Sequence, residues 1–432
     1  MAKKEKNYEH SAWSYAANIY EVNVRQYTEE GTFKAFSKHL PRLRDMGVKI
    51  LWFMPITPIS VKDRLGTLGS YYSIKNYVEV NPEFGTMDDF KDLVSQAHKM
   101  NFKVIVDYVA NHTGDDHHWI AEHPDYYCLD KEGNPTHPHG WMDVSQLNYE
   151  NADLRNAMIE VLKFWVGECN VDGFRCDMAH LVPLDFWVEA KNELSKHNNL
   201  FWLAECEVPE YHKVFDATYT WRWMHASEEF YKQRMNLQSL ITVLYKSVTE
   251  FPCNAFRAYF TSNHDENSWN GTEYEKYGDA ALLFAVFSCT WNGIPMLYSG
   301  QELPNKKRLK FFDKDSIEWA GDCELQSFYK ILLTLKSSNQ SLRSGDPDVL
   351  TKIISHPDDH EVFSFLRKHD YDQVLVVLNC SSKSKDFQVK AVSGTFRNVF
   401  GGPDVNFKEN VDLHLAPWGY LVFEKISILP GG

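Results

Sequence analysis

Two rhythms of hydrophobic positions alternate over the first three quarters of the chain. One is a short, almost unbroken apolar run: NIYEVNV near residue 20, KILWFMP ending at Pro55, KVIVDYV ending near Val109, VDGFRCD, LFWLAE, a weak ATYTW at 217–221, AYFTSN, and PMLYSG at 296–300. Runs of this kind predict strands buried on both faces. The other rhythm spaces apolar residues at i, i+3 and i+4. It appears in TFKAFSKHLPRLRDMG, DDFKDLVSQAHKMN, ADLRNAMIEVLKFWVGECN, LDFWVEAKNELSKHN, SLITVLYKSVTEF and SFYKILLTLKSSN, and it predicts amphipathic helices. Eight strand–helix units predict a closed (β/α)8 TIM barrel rather than an open doubly wound sheet.

Two stretches depart from the alternation. Residues 112–148 are rich in His, Asp, Pro and Gly and are too long for a simple strand-to-helix loop, which predicts a small inserted region or a lid after the third strand. After about Leu342 the period shortens to two, with turn residues between EVFSFLRK, QVLVVLN, FRNVF and GYLVFEK. That pattern predicts a C-terminal antiparallel β-sandwich. The expected organisation is a barrel over 1–342, carrying the insertion at 112–148, followed by a β domain over 343–432.

Composition narrows the classes of function. With 44% hydrophobic and 24% charged residues the chain reads as an ordinary globular protein. Its formal charge of −14 disfavours nucleic acid and anionic membrane as partners. No apolar run is long enough to span a bilayer, and no GxGxxG or P-loop pattern follows an early strand. Eight Cys are scattered without CxxC pairing, so they predict free thiols. The N-terminal MAKKEKNYEHSAW has no apolar signal core. The expected setting is soluble: cytoplasmic, or periplasmic or secreted if a leader has been removed. Oligomeric state is not legible.

Three apolar runs end in a carboxylate: GFRCDMAH at Asp177, WLAECEV at Glu205 and YFTSNHDEN at Asp265. Acids presented at the carboxyl ends of barrel strands suit a cleft in which proton donation and nucleophilic attack are divided among carboxylates, as glycosidic cleavage requires. Arg175 precedes Asp177 by two residues and shares its strand face. A cation within about 4–6 Å would lower the Asp177 pKa by roughly 1–3 units. Glu207 lies on the same face as Glu205 and is its rival for the acid role, Glu266 is expected to be solvated, and Trp221, Trp223 and Trp269 offer themselves for stacking on sugars. The HTGDDHH cluster matches no zinc spacing.

These segments, in this order, resemble the α-amylase family of glycoside hydrolases. VIVDYVANH (Asp107, Asn111, His112), GFRCDMAH (Arg175, Asp177), LAECE (Glu205) and TSNHD (His264, Asp265) are similar to its four signatures, and GVKILWFMPITP, GSYYSIKNY around Tyr72 and GIPMLYSGQE match supporting stretches. The resemblance implies a retaining α-glucan hydrolase cleaving α-1,4 bonds of starch or maltooligosaccharides, with an α-glucosidase or α-glucanotransferase as the alternative on the same scaffold. It implies Asp177 as nucleophile, Glu205 as acid and base, and Asp265 as transition-state stabiliser. Arg175, His112, His264 and Tyr72 would serve substrate binding, and Asp107 would orient Arg175 or His112. The nucleophile and acid would stand roughly 5–5.5 Å apart. A silent glycan-binding relative would have lost one of the two acids. No cofactor is required by this chemistry. Many relatives bind calcium with Asn111 as a ligand, but Gln146 stands where they commonly carry Asp, and His180 replaces the usual Lys-His pair. A neutral Gln weakens a hard-cation site, so a tight calcium site of the usual type is not expected.

Overall fold

A computed structural model of the chain describes residues 10–195, 200–319, 323–355, 359–390, 392–408 and 411–426. Ten strands come first: β1 (Ile19–Val22), β2 (Ile50–Phe53), β3 (Lys103–Val109), β4 (His112–Gly114), β5 (Val144–Gln146), β6 (Gly173–Asp177), β7 (Phe201–Ala204), β8 (Ala217–Tyr219), β9 (Phe256–Tyr259) and β10 (Ile294–Tyr298). All but β4 and β5 close into a parallel barrel in the order β1-β10-β9-β8-β7-β6-β3-β2. The predicted barrel is therefore present. The seventh strand ends earlier than the AYFTSN run suggested: β9 stops at Tyr259, and Phe260 onward is already loop.

Side chains inside the barrel change character from bottom to top. Ile19, Ile50, Trp52, Ile105, Phe201, Leu203, Ala217, Phe256, Ala258 and Ile294 form one buried apolar cluster. Two residues further along their strands stand Glu21, Asp107 and Glu205, and Arg175 and Asp177 occupy the same level on β6. The polar end is the carboxyl end, where barrel enzymes carry their chemistry. Gly173 begins the inward face of β6 with φ +151°, and a Cβ there would strike the Phe201 backbone, so the VDG preceding the FRCD segment lets β6 and β7 approach.

Helices of the outer ring fall largely where the 3.6 period places them. Met87–Lys99 starts in a Thr86–Asp89 capping box, and Asn151 caps Ala152–Cys169 by accepting from Asp153 and Leu154. The single helix expected over 32–47 is broken into Phe33–Ser37 and Leu40–Met46. Pro41 is the reason: it is tolerated in the first turn of a helix but not in the interior of one. Ala281–Thr290 gave no periodic signal because nine of its ten residues are buried.

The insertion is a small excursion pinned at its base. β4 and β5 pair antiparallel, with His112 opposite Gln146 and Gly114 opposite Val144. After the barrel come β11 (Leu350–Ile353), β12 (Val362–His369), β13 (Asp372–Asn379), β14 (Lys385–Val389), β15 (Gly394–Asn398), β16 (Val405–Phe407), β17 (Val411–Leu415) and β18 (Tyr420–Lys425). They make a six-stranded sheet in the order β11-β12-β13-β18-β15-β16 and a two-stranded sheet of β14 and β17. Leu375, Val377, Phe387, Val389, Leu413 and Phe423 pack between the two sheets, which is the expected sandwich. The other face of the large sheet, through Phe363, Phe365, Val374, Val376 and Val422, joins the core that lies between barrel and helices.

Candidate active site

Strand register brings the predicted acids together. Along β3 and β6, Asp107 pairs with Arg175 and Val109 with Asp177. Along β6 and β7, Cys176 pairs with Ala204, and the next backbone step is the Glu205 N–H donating to the Cys176 carbonyl at 3.0 Å. Asp177 and Glu205 therefore leave neighbouring strands at the same height, and adjacent strands are only about 4.8 Å apart.

One guanidinium organises the cluster. Arg175 Nη1 donates to Asp107 Oδ1 at 2.9 Å and to Asp177 Oδ1 at 3.0 Å, while Nη2 lies 2.9 Å from Glu205 Oε2. The last contact is close but misaligned for an N–H···O bond, so it is a charge contact only. Glu205 instead accepts the backbone N–H of Met178 at 2.9 Å. Met178 takes a left-handed conformation, φ 40° and ψ 42°, to present that N–H. The Asp107 side chain has no exposed surface and also accepts from Trp52 Nε1, so it orients Arg175 rather than His112.

Three carboxyls around one cation cannot all be ionised at low cost. Burial pushes Asp177 and Glu205 up from their ordinary values, with Arg175 pulling each back. Burial likewise lifts Asp107 to about 7 against the opposing pull of Arg175. The expectation that Arg175 would leave Asp177 below its usual value is thus corrected: desolvation outweighs the cation.

Across the mouth, Asp265 Oδ2 lies 3.3 Å from His264 Nε2, and the Asp265 side chain keeps 35% of its surface open. Tyr72 Oη stands 2.7 Å from His264 Nε2, and the two rings are stacked with centroids 5.5 Å apart. His112 is buried on β4, and burial lowers it to about 4, so it is a neutral imidazole at neutral pH. A cavity of about 310 Å³ gathers Tyr72, His112, Asp177, Glu205 and Asp265 into one wall, with Arg175 behind it.

Ser70, Val144 and Met178 add to this lining, and the remainder lies outside the motif stretches: Leu65, Trp141, Asp143, Trp269, Phe311 and Phe312. Trp269, 51% exposed, leans on Phe311 and Phe312 at 5.3 and 5.5 Å. The signal that could have found this wall is the FF pair inside the charged segment KKRLKFFDKD. Trp223, by contrast, is core, stacked on Phe287 at 4.1 Å, and Trp221 packs against Phe260 and Tyr219.

Two neighbouring acids are occupied elsewhere. Glu207 Oε1 binds Arg257 Nη2 at 2.6 Å, and its Oε2 accepts the Arg222 backbone N–H. Glu266, expected to be solvated, is 3% exposed and paired with Lys276 at 2.5 Å, because the π-turn Glu266–Asn270 folds it inward. Cys176 and Cys206, each next to an acid in sequence, are buried thiols in the core outside the barrel wall, and burial raises Cys206 to about 12. His180 is exposed.

The residues around Asn111 do not fit calcium. Asn111 Nδ2 faces His112 Nδ1 at 3.2 Å, and Gln146, opposite His112 in the hairpin, brings no charge. Among the described residues no group of three or more His, Cys, Asp or Glu is placed to hold a metal ion, and no helix is long and apolar enough to cross a membrane.

The chain matches the family profile described as alpha amylase, catalytic domain, over residues 7–145 and 139–344, and that of the maltogenic amylase C-terminal domain over 354–422. A noncanonic maltogenic alpha-amylase, AmyB from Thermotoga neapolitana, superposes with a TM-score of 0.88 at 29% identity, covering 95% of this chain and 99% of that one. An alpha-amylase from Lactobacillus plantarum gives 0.86 at 28%, over 96% and 100%. Alpha-amylase MalA of Haloarcula japonica is 27% identical over 426 residues, 92% of this chain and 61% of its own length.

Proposed function

The chain belongs to the alpha-amylase family, and from that premise we propose that it is a retaining α-glucan hydrolase acting on α-1,4 bonds of starch or maltooligosaccharides. The observation that carries this is the sharing of Arg175 by Asp177 and Glu205 on one cavity wall. Burial raises both acids, but their partners differ. Asp177 accepts a charged, aligned hydrogen bond from Nη1, whereas Glu205 accepts only a backbone N–H. A proton shared by the pair therefore rests on Glu205, leaving Asp177 the anion.

That division suits a double displacement. Asp177 attacks the anomeric carbon while Glu205 gives its proton to the departing oxygen, and Glu205 then takes a proton from the incoming water, whose oxygen displaces the Asp177 carboxylate from the anomeric carbon. Asp265 binds hydroxyls of the flattening ring, where the hydrogen bonds strengthen in the transition state, and His264 stands behind it with Nε2 3.3 Å from its carboxylate. Neutral His112 and Tyr72 complete the pocket for the same sugar. The apolar wall of Trp269, Phe311 and Phe312 offers ring faces to neighbouring glucosyl units.

Asp177→Asn and Glu205→Gln test the proposal. Each should fold and bind maltoheptaose while kcat falls by at least about a thousandfold. Turnover near that of the unmutated protein in either variant removes the assignment. Product analysis on maltoheptaose separates hydrolysis from transfer to a second sugar.

A further inference from the structure

Glu21 occupies the mouth end of β1, inside the barrel, where the strand pattern IYEV gives no hint of chemistry. It is fully buried, and burial raises its carboxyl above the ordinary value while the facing His264 pulls it back. Its Oε1 lies 2.5 Å from His264 Nδ1 and accepts the His264 backbone N–H at 3.3 Å, while Oε2 is buried without a protein hydrogen-bond partner. A buried carboxyl in that state is costly unless a cation faces it. The ring beside it is also buried, 1% exposed.

Both His264 nitrogens are engaged. A neutral ring would commit its one N–H to Glu21 through Nδ1 and turn a lone pair at Nε2 toward the Asp265 carboxylate 3.3 Å away. That arrangement is repulsive. An imidazolium instead donates through Nδ1 to Glu21 and through Nε2 toward Asp265 and Tyr72 Oη. Tyr72 in turn donates to Asp107, which holds Arg175.

We propose that Glu21 is a positioning residue for the reaction: its buried carboxylate holds His264 as an imidazolium and, through it, keeps Asp265 ionised and aimed at the sugar. The idea rests on the hydrolase reading above. Burial by itself lowers His264, but Asp265 and Glu21 outweigh it and raise the ring to about 9. The charges facing His264 are Glu21 from β1, Asp107 from β3, Arg175 and Asp177 from β6, Glu205 after β7, and Asp265 on its own loop, with Tyr72 as the neutral partner after β2. Arg175 is the one member that opposes protonation of the ring.

Glu21→Gln keeps the shape and the acceptor and removes the charge. With 15N-histidine labelling, and His264 assigned by the difference from His264→Gln, the ring in the unmutated enzyme should be an imidazolium at pH 7. In Glu21→Gln its midpoint should fall by at least one pH unit. The alkaline limb of kcat/KM on maltoheptaose should move down with it, and activity at pH 8 should drop by about tenfold or more. A neutral His264 in the unmutated enzyme, an unmoved His264 titration in the variant, or a pH profile scaled without change of shape would each overturn the proposal. Where Glu21→Gln does not fold, Glu21→Asp replaces it, and His264 must then remain an imidazolium at pH 7. An unmutated enzyme without hydrolytic activity would sink the proposed function alone, because the His264 titration needs no substrate.

Discussion

At the scale of single residues, the site is a problem in distributing protons among crowded acids. Arg175 is the shared counter-charge, and what distinguishes its three carboxyl partners is hydrogen-bond geometry more than distance. Glu207 provides the control. It lies two residues from Glu205 but is absorbed by Arg257 and Arg222. Glu207→Gln should leave kcat within a few-fold and lower thermal stability, because breaking a buried pair costs up to about 3–5 kcal/mol. A melting curve with a matched kinetic assay checks both halves. Asp177, Glu205 and Asp265 were legible in the sequence because each ends an apolar run abruptly. Glu21 was not: inside a four-residue strand buried on both faces it looks like any polar alternate, and its meaning comes from a histidine 243 positions away.

Elements explain why the acids meet and what lines the cavity they face. Register between β3, β6 and β7 is enough to align Asp107, Arg175, Asp177 and Glu205, and that register follows from inward-facing positions of period two. Strand pattern therefore carried the wall of acids. It could not carry the opposite wall, which comes from Leu65, Trp141, Phe311 and Phe312 on loops and Trp269 in the short π-turn, since such segments have no period to read. Trp269→Ala should raise KM for maltooligosaccharides about three- to tenfold with kcat nearly unchanged, as expected when an aromatic face worth about 0.5–1.5 kcal/mol is removed equally from ground and transition states. Steady-state kinetics across chain lengths measures it, and a fall in kcat with KM constant would place Trp269 in the chemistry instead. The helix break at Pro41 and the almost wholly buried Ala281–Thr290 mark the other limits of periodicity: one is set by ring sterics, the other by having neighbours on nearly every side.

Taken whole, the molecule is held by a seam as well as by two folded units. Phe363 and Phe365 of β12 pack on Trp291 with ring centroids 5.7 and 4.8 Å away, and both reach Phe287 at 6.2 Å. Arg367, fully buried, donates to the carbonyls of Ser341 and Arg343 in the connecting segment. One core cluster runs across this boundary, so barrel and sandwich should unfold in a single calorimetric transition. Two well-separated peaks would show that the seam does not couple them. The two thiols behind β6 and β7 have a use of their own. Cys176 and Cys206 sit back to back with the acids, walled off from solvent. An alkylating reagent reaches them only when strand and helix part, so the pace of their modification is a clock for the breathing of the wall that carries Asp177 and Glu205.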